Sequence, residues 1–200
     1  MKNPSKSTSS PEELAARKAV RDEELRNRNE YLDIAERPII VDLSRMGFNV
    51  NSVWDLKAKY ANYDGAISIL LKHIVLDYPD IIKEGIARAL AVPAGKSQFG
   101  FLISLFESSK KSNQPQFREG LASAISELAG DEDIDQIIRL ITDESHGEVR
   151  LYFVVPLMRS KLDKARVLVD HLSSDPTFAK EIKARRRRRK GWTGSEGTKH

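Results

Sequence analysis

The sequence predicts an all-α protein in which about four helix pairs stack after a set of leader helices. Apolar residues recur at positions i, i+3, i+4 and i+7, which places one apolar stripe on each helix. Segments around Lys83, Arg118 and Arg150 align without gaps, at intervals of 35 and 32 residues. Gly85 and Gly120 stand at matching positions and would let neighbouring backbones approach closely. Recurrence at such intervals is typical of helical repeats.

The leader is expected to occupy residues 11–63, after ten residues with little apolar surface that we expect to be disordered. Ser10 precedes Pro11 and two glutamates, a pattern that favours a helix N-terminus. The predicted leader helices run over residues 11–36, 39–46 and 53–60, and their starts are marked by Ser10, Pro38 and Ser52. Gly47 is expected to end the second of these helices.

The repeats are expected to fill residues 64–182, with the last helix running on into the tail. The predicted units are 64–92, 97–129, 131–159 and 162–188. The four first-helix stripes are Ile67, Leu70, Leu71 and Ile74; Phe99, Leu102, Ile103 and Phe106; Ile134, Ile137, Ile138 and Ile141; and Ala165, Leu168, Val169 and Leu172. The last second helix carries Lys183, Arg186 and Arg187 where the third unit is apolar, which predicts a polar end cap.

This pattern resembles HEAT-type repeats, including those of bacterial HEAT-repeat proteins. The resemblance rests on the period, the paired helices and a basic residue early in each second helix: Lys83, Arg118, Arg150 and Lys180. It implies a short right-handed α-solenoid that binds partners along its second helices. It also implies a ladder in which turn acids pair with those basic residues. Asp80, Glu148 and Asp175 are the candidate acids, and the second unit has none.

Composition argues against several classes of site. The chain has no cysteine, which excludes disulfides, thiolate nucleophiles and cysteine-ligated metals. Its four histidines are not arranged as metal ligands, and no acid or nucleophile sits in a catalytic pattern. No apolar run approaches the roughly 20 residues of a membrane span. We therefore expect a cytoplasmic, non-enzymatic protein without cofactor, metal or membrane span.

The third unit is the first candidate binding region. The side of its second helix away from the predicted core is apolar, with Leu151, Val154, Val155 and Met158. The amino-terminal helix or a partner protein could cover this side. Pro156 is expected to kink that helix. The predicted partner-binding set is therefore Lys83, Arg88, Arg118, Arg150, Leu151, Val154, Val155 and Met158.

The carboxy-terminal segment 183–200 is the second candidate, a basic tail that we expect to be mostly disordered. Residues 183–190 hold seven basic residues and no acid, whereas the other 192 residues carry 26 basic against 29 acidic residues. Such a run can bind phosphate backbones of RNA or DNA, an acidic protein or membrane surface, or only water. The predicted nucleic-acid-binding residues are Arg185, Arg186, Arg187, Arg188, Arg189 and Lys190.

Overall fold

The computed structural model describes residues 10–193, with side chains through residue 187. Between residues 10 and 193 the chain contains helices and no strand, which confirms the all-α prediction. The α-helices are α1 (Pro11–Arg45), α2 (Leu56–Lys59), α3 (Ile67–Ile74), α4 (Asp80–Ala89), α5 (Phe99–Ser108), α6 (Pro115–Leu128), α7 (Ile134–Thr142), α8 (Val154–Arg159), α9 (Asp163–Leu172) and α10 (Pro176–Thr193). The predicted disorder of residues 1–9 and 194–200 lies outside the described residues.

Helix α1 begins where the sequence predicts. Ser10 accepts a hydrogen bond from the Glu13 amide, and the Glu13 carboxylate accepts one from the Ser10 amide, each at 3.2 Å. This capping box satisfies two amides that the first helical turn would otherwise leave without partners.

The prediction of two helices on either side of Pro38 is wrong, because α1 continues through this proline to Arg45. Pro38 removes one intrahelical hydrogen bond. The helix persists because Ile39 and Leu43, both 0% exposed, pack into the core. Just before the proline, the buried Glu36 carboxylate accepts hydrogen bonds from the Ser52 hydroxyl at 3.0 Å and the Val53 amide at 2.7 Å.

Only the carboxy-terminal part of α1 is anchored to the helices that follow residue 64. Asp42 accepts hydrogen bonds from Lys72 at 2.7 Å and from His73 at 3.0 Å, which fixes α1 on α3. Residues 11–30 are exposed at every position. This part of α1 therefore does not cover the apolar side of the third unit.

The helices after residue 64 pack in pairs and in series. α3 packs on α4, α5 on α6, α7 on α8 and α9 on α10. The second members also pack on one another, with α4 against α6, α6 against α8 and α8 against α10. Side chains such as Lys164 and Asp80 bond across neighbouring pairs to groups 29 to 37 residues away in sequence. These separations match the interval at which the sequence pattern recurs.

The third unit departs from the predicted continuous second helix. Residues Glu144–Phe153 form 3₁₀ turns interrupted at Gly147, which has φ 65°, and α8 starts only at Val154. Pro156 lies in the first turn of α8, where a missing N–H costs no hydrogen bond within the helix, and not in mid-helix as predicted. A 3₁₀ turn advances about 120° per residue rather than 100°, which shifts every later side chain around the axis. Val154 is consequently 0% exposed, a correction to its predicted place on the outer side.

Helix α10 continues into the tail, as expected of the last helix, and it runs to Thr193, five residues past the predicted end of that unit at residue 188. Residues 183–193 are thus helical where a mostly disordered segment is predicted. Lysine, arginine and alanine are good helix formers, and Glu181 pairs with Arg185 one turn later at 2.5 Å. Lys183, Arg186 and Arg187 are exposed on it.

Among the described residues, no single helix is both long and apolar enough to cross a membrane. One pair, Asp80–Ala89 with Pro93–Lys111, meets that test only when joined across a 111° bend.

Candidate protein-binding surface

Three of the four recurring basic residues, Lys83, Arg118 and Arg150, stack on aromatic rings. The Lys83 ammonium lies 4.3 Å from the centre of the Phe117 ring, which belongs to the next unit. The Arg150 guanidinium lies 5.2 Å from the ring of Phe178, again in the next unit. Cation–π contacts of this kind tie neighbouring units together. Burial also lowers the pKa of the Lys83 ammonium. Both side chains are thus half-buried and used within the fold.

The acid ladder implied by the resemblance takes another form. The Asp80 carboxylate accepts hydrogen bonds from the backbone amides of Gln116 at 2.9 Å and Phe117 at 2.8 Å. These amides open α6, so Asp80 caps the second helix of the next unit instead of pairing with a basic side chain. Asp175 accepts a bond from the Thr177 amide at 2.8 Å and caps α10 of its own unit.

Arg88 joins three successive units. Its guanidinium donates to Glu84 at 2.8 Å within α4, to the Ser123 hydroxyl of α6 at 2.8 Å, and to the Tyr152 hydroxyl at 3.4 Å. A cavity of about 210 Å³ lies beside it, bordered by Trp54, which is 44% exposed. Arg88 therefore stabilises the second-helix surface, with part of its side chain still accessible.

Arg118 is turned towards the core of the second unit. Its guanidinium lies 5.0 Å from the centre of the Phe106 ring and 3.2 Å from His146 Nδ1. Burial lowers the pKa values of Arg118 and of His146. The neutral imidazole can then accept a hydrogen bond from the guanidinium. This buried contact joins two neighbouring units, so most of the Arg118 guanidinium is not available to a partner.

The remaining apolar residues of the predicted set stay half-buried at the surface. Leu151, Val155 and Met158 are all of intermediate exposure. Val155 and Met158 line a cavity of about 310 Å³ together with Arg159 and Arg185. We refer to Leu151, Val155, Met158, Arg159 and Arg185 as the third-unit surface. It combines apolar area with two guanidinium groups.

Arg159 is held in place on this surface by the end of α6. One of its guanidinium nitrogens donates to the carbonyls of Ser126 at 2.9 Å and Ala129 at 2.7 Å. The last carbonyls of a helix have no intrahelical partner, so this contact closes the carboxyl end of α6.

A larger groove, about 1000 Å³, opens next to the third-unit surface and was missed by sequence reasoning. It lies between α8, α9 and α10 and shares Met158 with the smaller cavity. Its floor includes Leu157, Val169 and Ile182, and basic side chains stand along its edges. Lys161, in the loop before α9, and Arg166, in α9, are visible in the sequence as basic residues. Only the tertiary packing places them opposite α10.

The predicted nucleic-acid-binding residues are only partly described. Arg185 pairs with Glu181, and Arg186 donates to Asp170 at 2.6 Å. Arg187 is exposed. The side chains of Arg188, Arg189 and Lys190 lie outside the described side chains, although the backbone there is helical.

A glycine–lysine–serine segment outside the predicted binding set is also used within the fold. The segment Gly95-Lys96-Ser97 lies in 3₁₀ turns between α4 and α5, where Lys96 pairs with Asp133 and bonds to the Leu128 carbonyl at 3.1 Å. Lys96 is thus a tie between units. The described residues contain no group of three or more histidine, aspartate or glutamate side chains placed to hold a metal ion.

Comparison of the chain with protein-family models, with curated proteins and with solved structures found no match.

Proposed function

We propose that this chain is a non-enzymatic scaffold with HEAT-like repeats that binds another protein at the third-unit surface. The serial packing of α4, α6, α8 and α10 supports the repeat assignment. Polar contacts between groups about one repeat apart support it independently. Arrays of this type present a continuous second-helix surface to partners.

The observation that carries the proposal is the partial exposure of Val155 and Met158 beside Arg159 and Arg185. Neither side chain is covered by residues 11–30 of α1, which are exposed throughout. Interfaces are enriched in methionine and arginine relative to the rest of the surface. Because Lys83, Arg118 and Arg150 are used inside the fold, the proposed contact excludes them.

Site-specific photo-cross-linking tests this function. A photoreactive phenylalanine analogue replaces Val155 in the full chain, and in a control chain it replaces Val167, which is 68% exposed on α9. Cross-linking is carried out in the cells that naturally make the protein. We expect one discrete adduct, identifiable by mass spectrometry, from position 155 and none from position 167. The same adducts from both positions, or none from position 155, would refute the proposed contact.

The alternative function is a nucleic-acid-associated protein anchored by Arg185–Lys190. The continuation of α10 to Thr193, with Arg187 exposed, favours it. Fluorescence anisotropy of labelled RNA and duplex DNA at about 50 and about 200 mM salt distinguishes this function, because phosphate contacts weaken steeply with salt. Binding that is lost when residues 187–190 are changed to glutamine would establish the alternative. No binding to the unaltered chain would exclude it.

A further inference from the structure

The groove between α8, α9 and α10 has an apolar floor. Leu157 and Ile182 are each 1% exposed, and Val169 is 6% exposed. Met158 and Ala179, both of intermediate exposure, complete the lining on the α8 and α10 sides. A ligand in this groove would contact aliphatic surface mainly at Met158 and Ala179, above the buried floor.

Cations stand on both sides of this floor. Lys161 lies before α9 on one side, and Lys183 and Arg187 project from α10 on the other. No carboxylate of the described residues forms an ion pair with any of these three. The lining contains one acid, Asp170, and it is already bonded to Arg186 at 2.6 Å. The edges of the groove therefore carry a net positive charge without internal compensation.

Resting on the proposed scaffold function, we infer that this groove receives an acidic amphipathic helix of the partner protein. The lining runs from Arg166 of α9 to Ser173 at its carboxyl end, a length of about 10 Å at the rise of an α-helix. Two turns of helix have this length and, at a diameter of about 10–12 Å, occupy about 800–1,200 Å³. The groove volume of about 1000 Å³ is of that size.

The distribution of charge favours such a helix over other anionic ligands. Acidic residues on both sides of an apolar stripe would meet Lys161 on one side and Lys183 and Arg187 on the other, while the stripe covers the partly exposed Met158 and Ala179. A fatty acid has one carboxylate and would leave most of these cations without a partner. A nucleic acid could neutralise the cations, but its phosphates would not cover the apolar floor.

Fluorescence polarisation with full-length protein tests the inference. The probe is a labelled 14-residue helical peptide with leucines on one stripe and glutamates on both sides of it. A second peptide has the same composition in scrambled order, and a third has lysine in place of glutamate. The protein variants are Lys183→Glu/Arg187→Glu and the control Lys180→Glu, which reverses an exposed charge on the same helix away from the groove lining.

We expect saturable binding of the first peptide alone, weakened at least tenfold by Lys183→Glu/Arg187→Glu and less than twofold by Lys180→Glu. A further variant, Ala179→Trp, fills the groove and should also weaken binding at least tenfold while the far-ultraviolet circular dichroism stays unchanged. Absence of binding, equal binding of the scrambled peptide, or equal losses from Lys180→Glu would overturn the inference. Cross-linking at Val155 distinguishes this inference from the proposed function. If the cross-link forms but the peptide does not bind as expected, the groove assignment is wrong and the scaffold proposal is unaffected.

Discussion

Replacing Gly120 with alanine tests how closely α4 and α6 pack. A β-carbon at this position would lie 2.8 Å from the carbonyl oxygen of Glu84 and 2.9 Å from its Cα atom. Both atoms belong to the backbone of α4, so no side-chain rotation relieves the contact and the two helices must separate. Gly100 provides a matched control, because a β-carbon on this exposed residue of α5 meets no atom within 4 Å.

The expected changes in stability have opposite signs. Alanine is favoured over glycine within a helix by about 0.8–1.0 kcal/mol. Overpacking costs about 1–3 kcal/mol, and a backbone contact belongs at the upper end of that range. Gly120→Ala should therefore lose about 2 kcal/mol, whereas Gly100→Ala should gain up to about 1 kcal/mol. For a chain of this size these values correspond to a Tm lower by about 4–8 °C and higher by about 2–4 °C, respectively.

Differential scanning calorimetry and urea denaturation of the two variants measure this difference directly. Comparable Tm values for Gly120→Ala and Gly100→Ala would show that α4 and α6 are not in close backbone contact. The pairing of second helices between units, on which the repeat assignment depends, would then be wrong.

Three further changes test the ties between units. Burial lowers the pKa of His146, so as the pH falls below about 6.5 the histidine takes up a proton in the unfolded chain before it does so in the folded one, and the folded state loses stability. Urea denaturation should therefore show a larger loss of stability between pH 7 and pH 5 in the unaltered protein than in His146→Gln. Asp80→Ala removes the acceptor for two amides of α6 and should lower the unfolding free energy by about 1–2 kcal/mol, with a smaller loss for Asp80→Asn, whose amide oxygen can still accept. Arg159→Gln should lower the unfolding free energy by about 1–3 kcal/mol in the same assay, because the carbonyls at the end of α6 lose a charged donor. An unchanged unfolding free energy would show that water takes the place of this donor.

Several helix starts and the apolar stripes of the first helices could be predicted from local sequence patterns. The Ser10 cap, the capping of the 3₁₀ turn by Ser52 and the apolar stripes of the first helices were all readable from residue type and spacing. Pro38 shows the limit of such signals. A proline in isolation disfavours helix, but the burial of Ile39 and Leu43 in the tertiary structure outweighs one lost hydrogen bond.

The third unit could not be predicted in the same way, because its backbone leaves the α-helical period. The switch from 3₁₀ turns to α8 changes the angle at which each side chain leaves the axis, so Val154 enters the core while Val155 stays partly exposed. The groove has a similar cause. Its two edges come from residues about 20 positions apart, such as Lys161 and Lys183, and only the packing of α10 across α8 and α9 places them opposite one another.

The contacts of the basic residues differ between the two ends of the chain, and this difference determines how binding of a partner should depend on salt. Towards the amino-terminal end, Lys83 stacks on Phe117 and Lys96 pairs with Asp133, so their charges already have partners within the fold. At the carboxy-terminal end, Lys183 and Arg187 have none among the described side chains. Salt weakens attraction between exposed charges, over a screening length of about 10 Å at 0.1 M, whereas apolar contacts are not weakened and kosmotropic salts strengthen them. A partner held only by the third-unit apolar residues should therefore bind almost independently of salt, and one that also enters the groove should bind more weakly as salt rises.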